Sequence, residues 1–294
     1  MATTYVSTGE TKGTRAKTNV ARVLSYIFLV FVTLLSLFPF YLLIINATRS
    51  HSELQAGFTL IPSTSFLYNL KTAWNDRTMF VFPMALFNSF IIAAVASILT
   101  SYFSAMTAYG IHVYDFKGRN MLFKFILVIM MIPTQISVAG FLQLIGTFGM
   151  KDTYWPLIIP AIAAPSVFFY MKQYIEGSLP MEVIEAARVD GSNEFKTFNI
   201  IALPMLRPAL SVQLIFAFVA SWNNYFTPAL VLDSSSKWTL PIALAAVRSR
   251  INSEAGDMGE VYMLIFLSII PVVIVYIFVS KNIVEGVALG AVKG

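Results

Sequence analysis

Long apolar runs separated by short polar connections dominate the chain. The first run covers residues 23–45, and five more follow at about 83–109, 125–148, 155–171, 209–232 and 261–280. At ~1.5 Å rise per residue, the first run reaches about 34 Å as a helix, enough for a hydrocarbon core of roughly 30 Å. Residues 1–20 are polar and rich in Thr, Lys and Arg. A cleaved signal has a shorter apolar core and a small-residue cleavage site, so the run at 23–45 reads as a retained span. The pattern predicts an all-α, polytopic membrane protein with six transmembrane helices. A cytoplasmic tail is expected over residues 1–20 and a single membrane domain over 21–294.

Within the runs, spacing singles out two faces. Ser89, Ala93, Ala96, Thr100, Ser104 and Thr107 recur at steps of three and four in the second run. Such a stripe lets helix backbones approach closely, and packing is the preferred reading over solute contact. In the fifth run Gln213, Ala217, Ala220 and Asn224 share a face, with Asn223 about a quarter turn away. Amides are costly in lipid, so Gln213, Asn223 and Asn224 either bond a neighbouring helix or face a solute pathway. Prolines fall inside four runs, at Pro39, Pro133, Pro160 with Pro165, and Pro271. Each removes a backbone donor and predicts a kink where neighbouring helices or a wet cavity satisfy the freed carbonyl.

Composition agrees with a bilayer: 57% of residues are hydrophobic and 12% charged, about half the charged share of a soluble domain. The net charge of +5 comes from residues scattered between apolar runs, without the aromatic-interleaved basic patch of a nucleic-acid binder. Of the 20 Lys and Arg residues, an arrangement with both termini in the cytoplasm leaves only Arg49, Lys71, Arg77, Lys151, Lys237, Arg248 and Arg250 outside. The thirteen others fall inside, which supports that orientation by the positive-inside rule. Trp74, Trp155 and Trp238 then lie near the outer boundary. With no cysteine, the chain has no disulfide, thiolate metal site or catalytic thiol.

No Asp, Glu, Lys, Arg or His lies within the six runs. Ion-coupled carriers usually hold an intramembrane carboxylate or histidine, so a carrier driven by its own ion gradient is disfavoured. His51 and His112 fall in connections on opposite sides of the membrane, and no catalytic or metal-ligating residue is singled out against a membrane-embedded enzyme. The chain also lacks a G-x-x-x-x-G-K-[ST] phosphate loop, so it is not expected to be a nucleotide-driven motor. A passive channel stays open as an alternative, although no filter-like loop is visible.

One segment breaks the pattern. Residues 176–207 form a long cytoplasmic connection, and residues 176–204 within it hold five of the chain's 15 acids. Pro180 suits the first helical position, Glu182 the positive end of a helix dipole, and Gly191 a left-handed C-terminal cap. A short helix is predicted over 180–190. Ser192 is expected to cap a second helix that stops before Pro204. Alanines at 186 and 187 present little bulk, and Glu185 offers a carboxylate to a basic partner. A solvated loop helix on the membrane surface fits these residues as well as a docking element does.

Glu185-Ala186-Ala187, Asp190-Gly191, Ile201, Leu203-Pro204 and Pro208 resemble the cytoplasmic EAA signature of binding-protein-dependent ABC importer permeases. Ser221-Trp222-Asn223-Asn224-Tyr225-Phe226-Thr227-Pro228 and the ending Gly286-Val287-Ala288-Leu289-Gly290-Ala291-Val292-Lys293-Gly294 resemble that family's carbohydrate branch, the group that includes the maltose permease subunit. Position 224 is asparagine where such permeases often carry an acid. The similarity runs over roughly residues 20–294. It implies a type I importer fold in the bacterial inner membrane, with a second homologous permease and two cytosolic ATPase chains that hold the ATP and Mg. An extracytoplasmic solute-binding protein would deliver a sugar or other neutral solute. By the same resemblance, Glu185, Ala186, Ala187, Asp190 and Gly191 would couple the bundle to the ATPase. The loop with Asn252, Ser253, Glu254 and Gly256 would reach the binding protein.

Overall fold

The computed structural model describes the backbone over residues 12–252 and 256–291, and the side chains over 22–251 and 256–280 apart from position 134. Of the tail expected over 1–20, residues 1–11 lie outside the described residues, and from Lys12 the chain is already helical. Helix α1 (Lys12–Ala47) leads into a short segment, α2 (Phe66–Asn75), and the central helix α3 (Phe82–Val113). Next come α4 (Arg119–Met130), α5 (Val138–Thr147), α6 (Pro165–Ser178) and the surface helix α7 (Met181–Val189). Helices α8 (Arg207–Trp222), α9 (Leu240–Asn252) and α10 (Met258–Ala291) complete the chain. All described elements are helical.

Among the described residues, four helical segments are long and apolar enough to cross a bilayer, and up to six if each of two sharply bent pairs counts as one span. The bends are the main departure from the sequence pattern. The third run breaks by 82° between Arg119–Met130 and Gln135–Thr147, where Pro133 cannot donate to the helix ladder. The fourth is continuous only through a 3-10 turn at Ile159–Ile162, and Ala163 and Ala164 leave the helix before Pro165 restarts it. The fifth, expected unbroken over 209–232, stops at Trp222 and resumes as Phe226–Val231. Helices also outrun the apolar cores: α6 ends with Lys172 and Glu176, α3 with His112, and α10 starts with Glu260. These ionisable groups lie beyond the apolar runs.

α3 is the hub, packed against α8, α6 and α9. Ser89, Ala93, Ala96, Thr100 and Ser104 are all buried, as their spacing predicts, whereas Thr107 at the end of the stripe is exposed. Ser89 Oγ accepts the Leu240 N–H at 2.7 Å, and the Thr100 hydroxyl donates to the Ala161 carbonyl at 2.8 Å. Close backbone approach thus lets hydroxyls satisfy the termini and breaks of neighbouring helices. One core cluster gathers Phe82, Phe218, Trp222, Leu240, Met263 and Leu264. A second, toward the end that carries α7, gathers Tyr109, Phe168, Met171, Ile175, Ile184 and Phe198. Much of α1 stays exposed all round, as an outer helix in lipid or against another membrane chain can be.

Candidate functional site

Helix α7 is cut to length at both ends. Pro180 stands at its N-cap, one residue earlier than expected, with extended backbone (φ −64°, ψ 139°). Glu182 occupies the first turn and Arg188 the last, matching the dipole. At the C-terminus Gly191 takes the left-handed conformation, φ +76°. The Gly191 N–H bonds the Arg188 carbonyl and the Ser192 N–H bonds the Ala187 carbonyl, both at 3.0 Å. Those two bonds are the paired closure of a Schellman motif. The Ser192 hydroxyl accepts from Thr197 Oγ1 at 2.9 Å, and Asn193 caps the next helix instead, its Oδ1 accepting the Lys196 N–H at 2.8 Å.

That next helix does not stop before Pro204. It widens into a π turn at Thr197–Ala202, where the Leu203 N–H bonds the Phe198 carbonyl, and continues through Leu203–Met205. The wider register just ahead of Pro204 absorbs the missing donor. Glu194–Met205 and Arg207–Trp222 then meet at 83°.

Phase along α7 divides the signature residues. Ile184 and Ala187 are buried, whereas Glu182, Glu185, Ala186, Val189, Asp190 and Gly191 are exposed. The outward positions recur at steps of three and four, a single helical face. Ala187, expected beside Ala186 on a docking surface, instead holds the helix to its own bundle. Val189, one turn after Glu185 on α7, is 87% exposed, so apolar surface adjoins the outward Glu185. Arg188 Nε meets Glu194 Oε1 at 2.8 Å, Tyr114 donates to Glu194 Oε2 at 2.7 Å, and the Arg188 guanidinium lies 5.7 Å from the Tyr114 ring centre. α7 is thereby joined to the end of α3.

A second feature is a cavity of about 1000 Å³ between α3, α4, α5, the fourth span and the break after α8. Its wall is mostly aliphatic, with Phe141 and Phe168, and its polar members are Ser104, Thr107, Ser137, Ser166, Asn224 and Thr227. Among the described residues, no charged side chain lines it. Of the three predicted pathway amides, only Asn224 is there. Because α8 ends at Trp222, Asn224 leaves the Gln213 face, and its Oδ1 accepts the Thr227 N–H at 3.3 Å. Asn223 is exposed and folds its amide back onto the Val219 carbonyl at 3.0 Å. Gln213 is buried in the bundle. Sequence spacing had offered Ser104 as packing, and its place in a stripe of small residues hid its second position on the cavity wall.

At the opposite end of the bundle from α7, Asp152 ties two connections together from a left-handed backbone (φ 55°). Its Oδ1 accepts the Asp233 and Ser234 N–H groups at 3.0 Å, and its Oδ2 accepts the Ser234 hydroxyl at 2.6 Å and Lys237 Nζ at 2.9 Å. Bonds from Ser234, then Lys237, hold its carboxyl well below the usual range. A depressed folded-state value contributes stability above the ordinary aspartate pKa of about 3.9, and that contribution fades as pH falls below it. Asp152→Asn is therefore expected to lower the melting temperature of the purified complex at pH 7, with the gap to the unaltered chain narrowing near pH 3. A gap that does not change with pH would mean the carboxylate charge is not its source.

The loop after α9 is only partly described. Ser253, Glu254 and the Asn252 side chain lie outside the described residues. Gly256 lies against the end of α9, where an added Cβ would come within 2.8 Å of the Ile251 nitrogen.

Two sharply bent pairs of helices, a cavity without a charged side chain among the described residues and a capped surface helix are features that suit a solute permease of the membrane. The family described as binding-protein-dependent transport system inner membrane component matches residues 98–287. The chain is 33% identical over 281 residues to the arabinooligosaccharides transport system permease protein AraQ of Bacillus subtilis, covering 94% of this chain and 97% of that protein. AraQ of Halalkalibacterium halodurans is 36% identical over 269 residues, with 90% and 94% covered. The sn-glycerol-3-phosphate transport system permease protein UgpE of Yersinia enterocolitica is 30% identical over 267 residues, with 89% and 94% covered. A chain of a bacterial ABC transporter involved in the import of the acidic polysaccharide alginate shares the fold, with a TM-score of 0.75 at 21% identity over 94% of this chain and 99% of that one. The chain belongs to the binding-protein-dependent transport system inner membrane component family.

Proposed function

We propose that this chain and a second, homologous permease enclose the pathway of an ATP-driven importer for a neutral sugar or oligosaccharide. A solute-binding protein delivers the solute from outside, with Asn252, Ser253, Glu254 and Gly256 as its candidate contact. Two cytosolic ATPase chains hold the ATP and Mg and drive the bundle through α7. Glu185, Ala186, Asp190 and Gly191 form the outward docking side, and Ala187 anchors the helix from within. Both termini lie in the cytoplasm. The cavity carries the reading: among the described residues its polar groups are hydroxyls and one amide, without a charged side chain. Such a wall suits a neutral polyol, because a buried anion lacking a counter-charge is strongly disfavoured. The arabinooligosaccharide permeases among the relatives support a saccharide.

The test is purification of the tagged chain with its native partners and reconstitution in vesicles with the binding protein. Expected are ATP-dependent uptake of arabinotriose or another neutral saccharide and none of sn-glycerol 3-phosphate. Reporters fused after Gly118 and Ser192 should signal cytoplasm, and one after Ser65 the outside. Uptake without ATP would replace the importer with a channel, and an outside signal at Ser192 would remove α7 from the reach of any ATPase.

A further inference from the structure

Among the described residues, five buried side-chain atoms have no hydrogen-bond partner: Asn69 Oδ1, Ser101 Oγ, Ser104 Oγ, Tyr109 OH and Thr239 Oγ1. Of the residues that carry them, only Ser104 lines the cavity. Its side chain is 2% exposed. A buried hydroxyl without a partner is a standing cost unless a ligand or an ordered water completes it. The neighbouring hydroxyl on the same helix face is already committed: Thr107 donates to the Phe103 carbonyl at 2.8 Å.

Hydroxyl and amide groups converge on the same wall from other elements. Ser166 comes from the first turn of α6, and Asn224 and Thr227 come from the break after α8. With Asn224 Oδ1 accepting the Thr227 N–H, that amide keeps both N–H donors and one acceptor lone pair. Phe141 and Phe168 on the wall supply flat apolar surface. Donors and hydroxyls around aromatic faces match a sugar ring, whose rim carries hydroxyls and whose faces carry C–H groups.

We propose that Ser104, Ser166, Asn224 and Thr227 form a subsite in this chain for the hydroxyls of a single neutral sugar ring, with Phe141 and Phe168 against its faces. The subsite rests on the importer reading above and assigns direct solute contact to this chain rather than to its partner permease alone. Ser104 sets specificity for a hydroxyl at its position, because a deoxy sugar would leave the buried Oγ as unpartnered as it is in the empty chain.

The chain contains no cysteine, so a single introduced thiol is this subunit's only one. In the reconstituted complex, Ser104→Ala and Thr227→Val are each expected to raise the half-saturating concentration of arabinotriose about 5-fold, the loss of one net hydrogen bond. Complex yield should be unchanged. Ser97→Ala, which removes a buried hydroxyl off the cavity wall, should leave half-saturation where it was. Thr227→Cys should react with a membrane-impermeant thiosulfonate, and saturating arabinotriose should slow that reaction about 10-fold.

Wild-type half-saturation in both Ser104→Ala and Thr227→Val, or labelling at position 227 indifferent to the saccharide, overturns the subsite while the importer reading stands. If the unaltered complex moves sn-glycerol 3-phosphate and no neutral saccharide, both fall. Should Ser104→Ala fail to assemble, saccharide protection at Thr227→Cys decides the question.

Discussion

Gly191→Val is expected to cut solute-stimulated ATP hydrolysis by about tenfold or more, with the chain still inserted and its spans folded. Space is not the obstacle, since a Cβ at Gly191 would meet nothing within 4 Å. The obstacle is the backbone: at φ +76° a side chain costs ~1–2 kcal/mol, roughly a tenfold shift for each 1.4 kcal/mol. A β-branched residue is the worst case. Relief comes only by releasing the Gly191 and Ser192 N–H bonds to the Arg188 and Ala187 carbonyls. The last turn of α7 then frays, and the Arg188 to Glu194 pairing that joins it to α3 through Tyr114 loses its fixed geometry. Asparagine tolerates the left-handed region, so Gly191→Asn should keep most of the activity. The measurement is saccharide-stimulated hydrolysis in vesicles beside limited proteolysis of the membrane chain. Equal stimulation in Gly191→Val and the unaltered chain would show that this cap is not part of the drive.

How far the sequence reaches can be argued from the same region. A φ above zero and a helix stop are both local demands, and glycine after a short polar helix states both at once. The cap at Gly191 was therefore legible. Which residue starts the next helix was not, because Ser192 and Asn193 are both good caps. In the fold the Ser192 hydroxyl accepts from Thr197 Oγ1, and Asn193 Oδ1 is the oxygen that meets the Lys196 N–H. The six apolar runs were legible from length alone, yet the depth of each break was not. Pro133 marks where the ladder fails, but the 82° bend at that place is set by packing among distant helices. No proline precedes the stop at Trp222, so the shared face of Gln213 and Asn224 could be drawn only by assuming a helix that in fact ends. Ser104 shows the converse failure, since burial in a stripe and a place on a cavity wall are compatible and spacing reports only the first.

Glu185→Lys and Ala187→Trp should both abolish uptake, but by losing different things. Glu185 is exposed on the outer face of α7, one turn before the apolar, exposed Val189, where a docked ATPase would desolvate it. Reversing its charge leaves this chain's fold untouched. Against a basic partner group it costs roughly 2–5 kcal/mol or more of association, as truncating one member of a buried pair does. The expected signature is a chain at normal level in the membrane with the ATPase missing from the purified complex. Ala187 is 5% exposed and shares the inward face with Ile184. An indole there must displace the bundle itself, and overpacking of that kind typically costs ~1–3 kcal/mol or more before any partner is involved. Its signature is a protease-sensitive or depleted chain, with ATPase loss following from that. Membrane level, protease resistance and ATPase copurification measured together separate the two. If Ala187→Trp is as resistant as the unaltered chain and lacks only the ATPase, the docking side includes Ala187 and the inward phase of α7 is wrong. If Glu185→Lys retains the ATPase, the exposed face of α7 is not where that subunit binds.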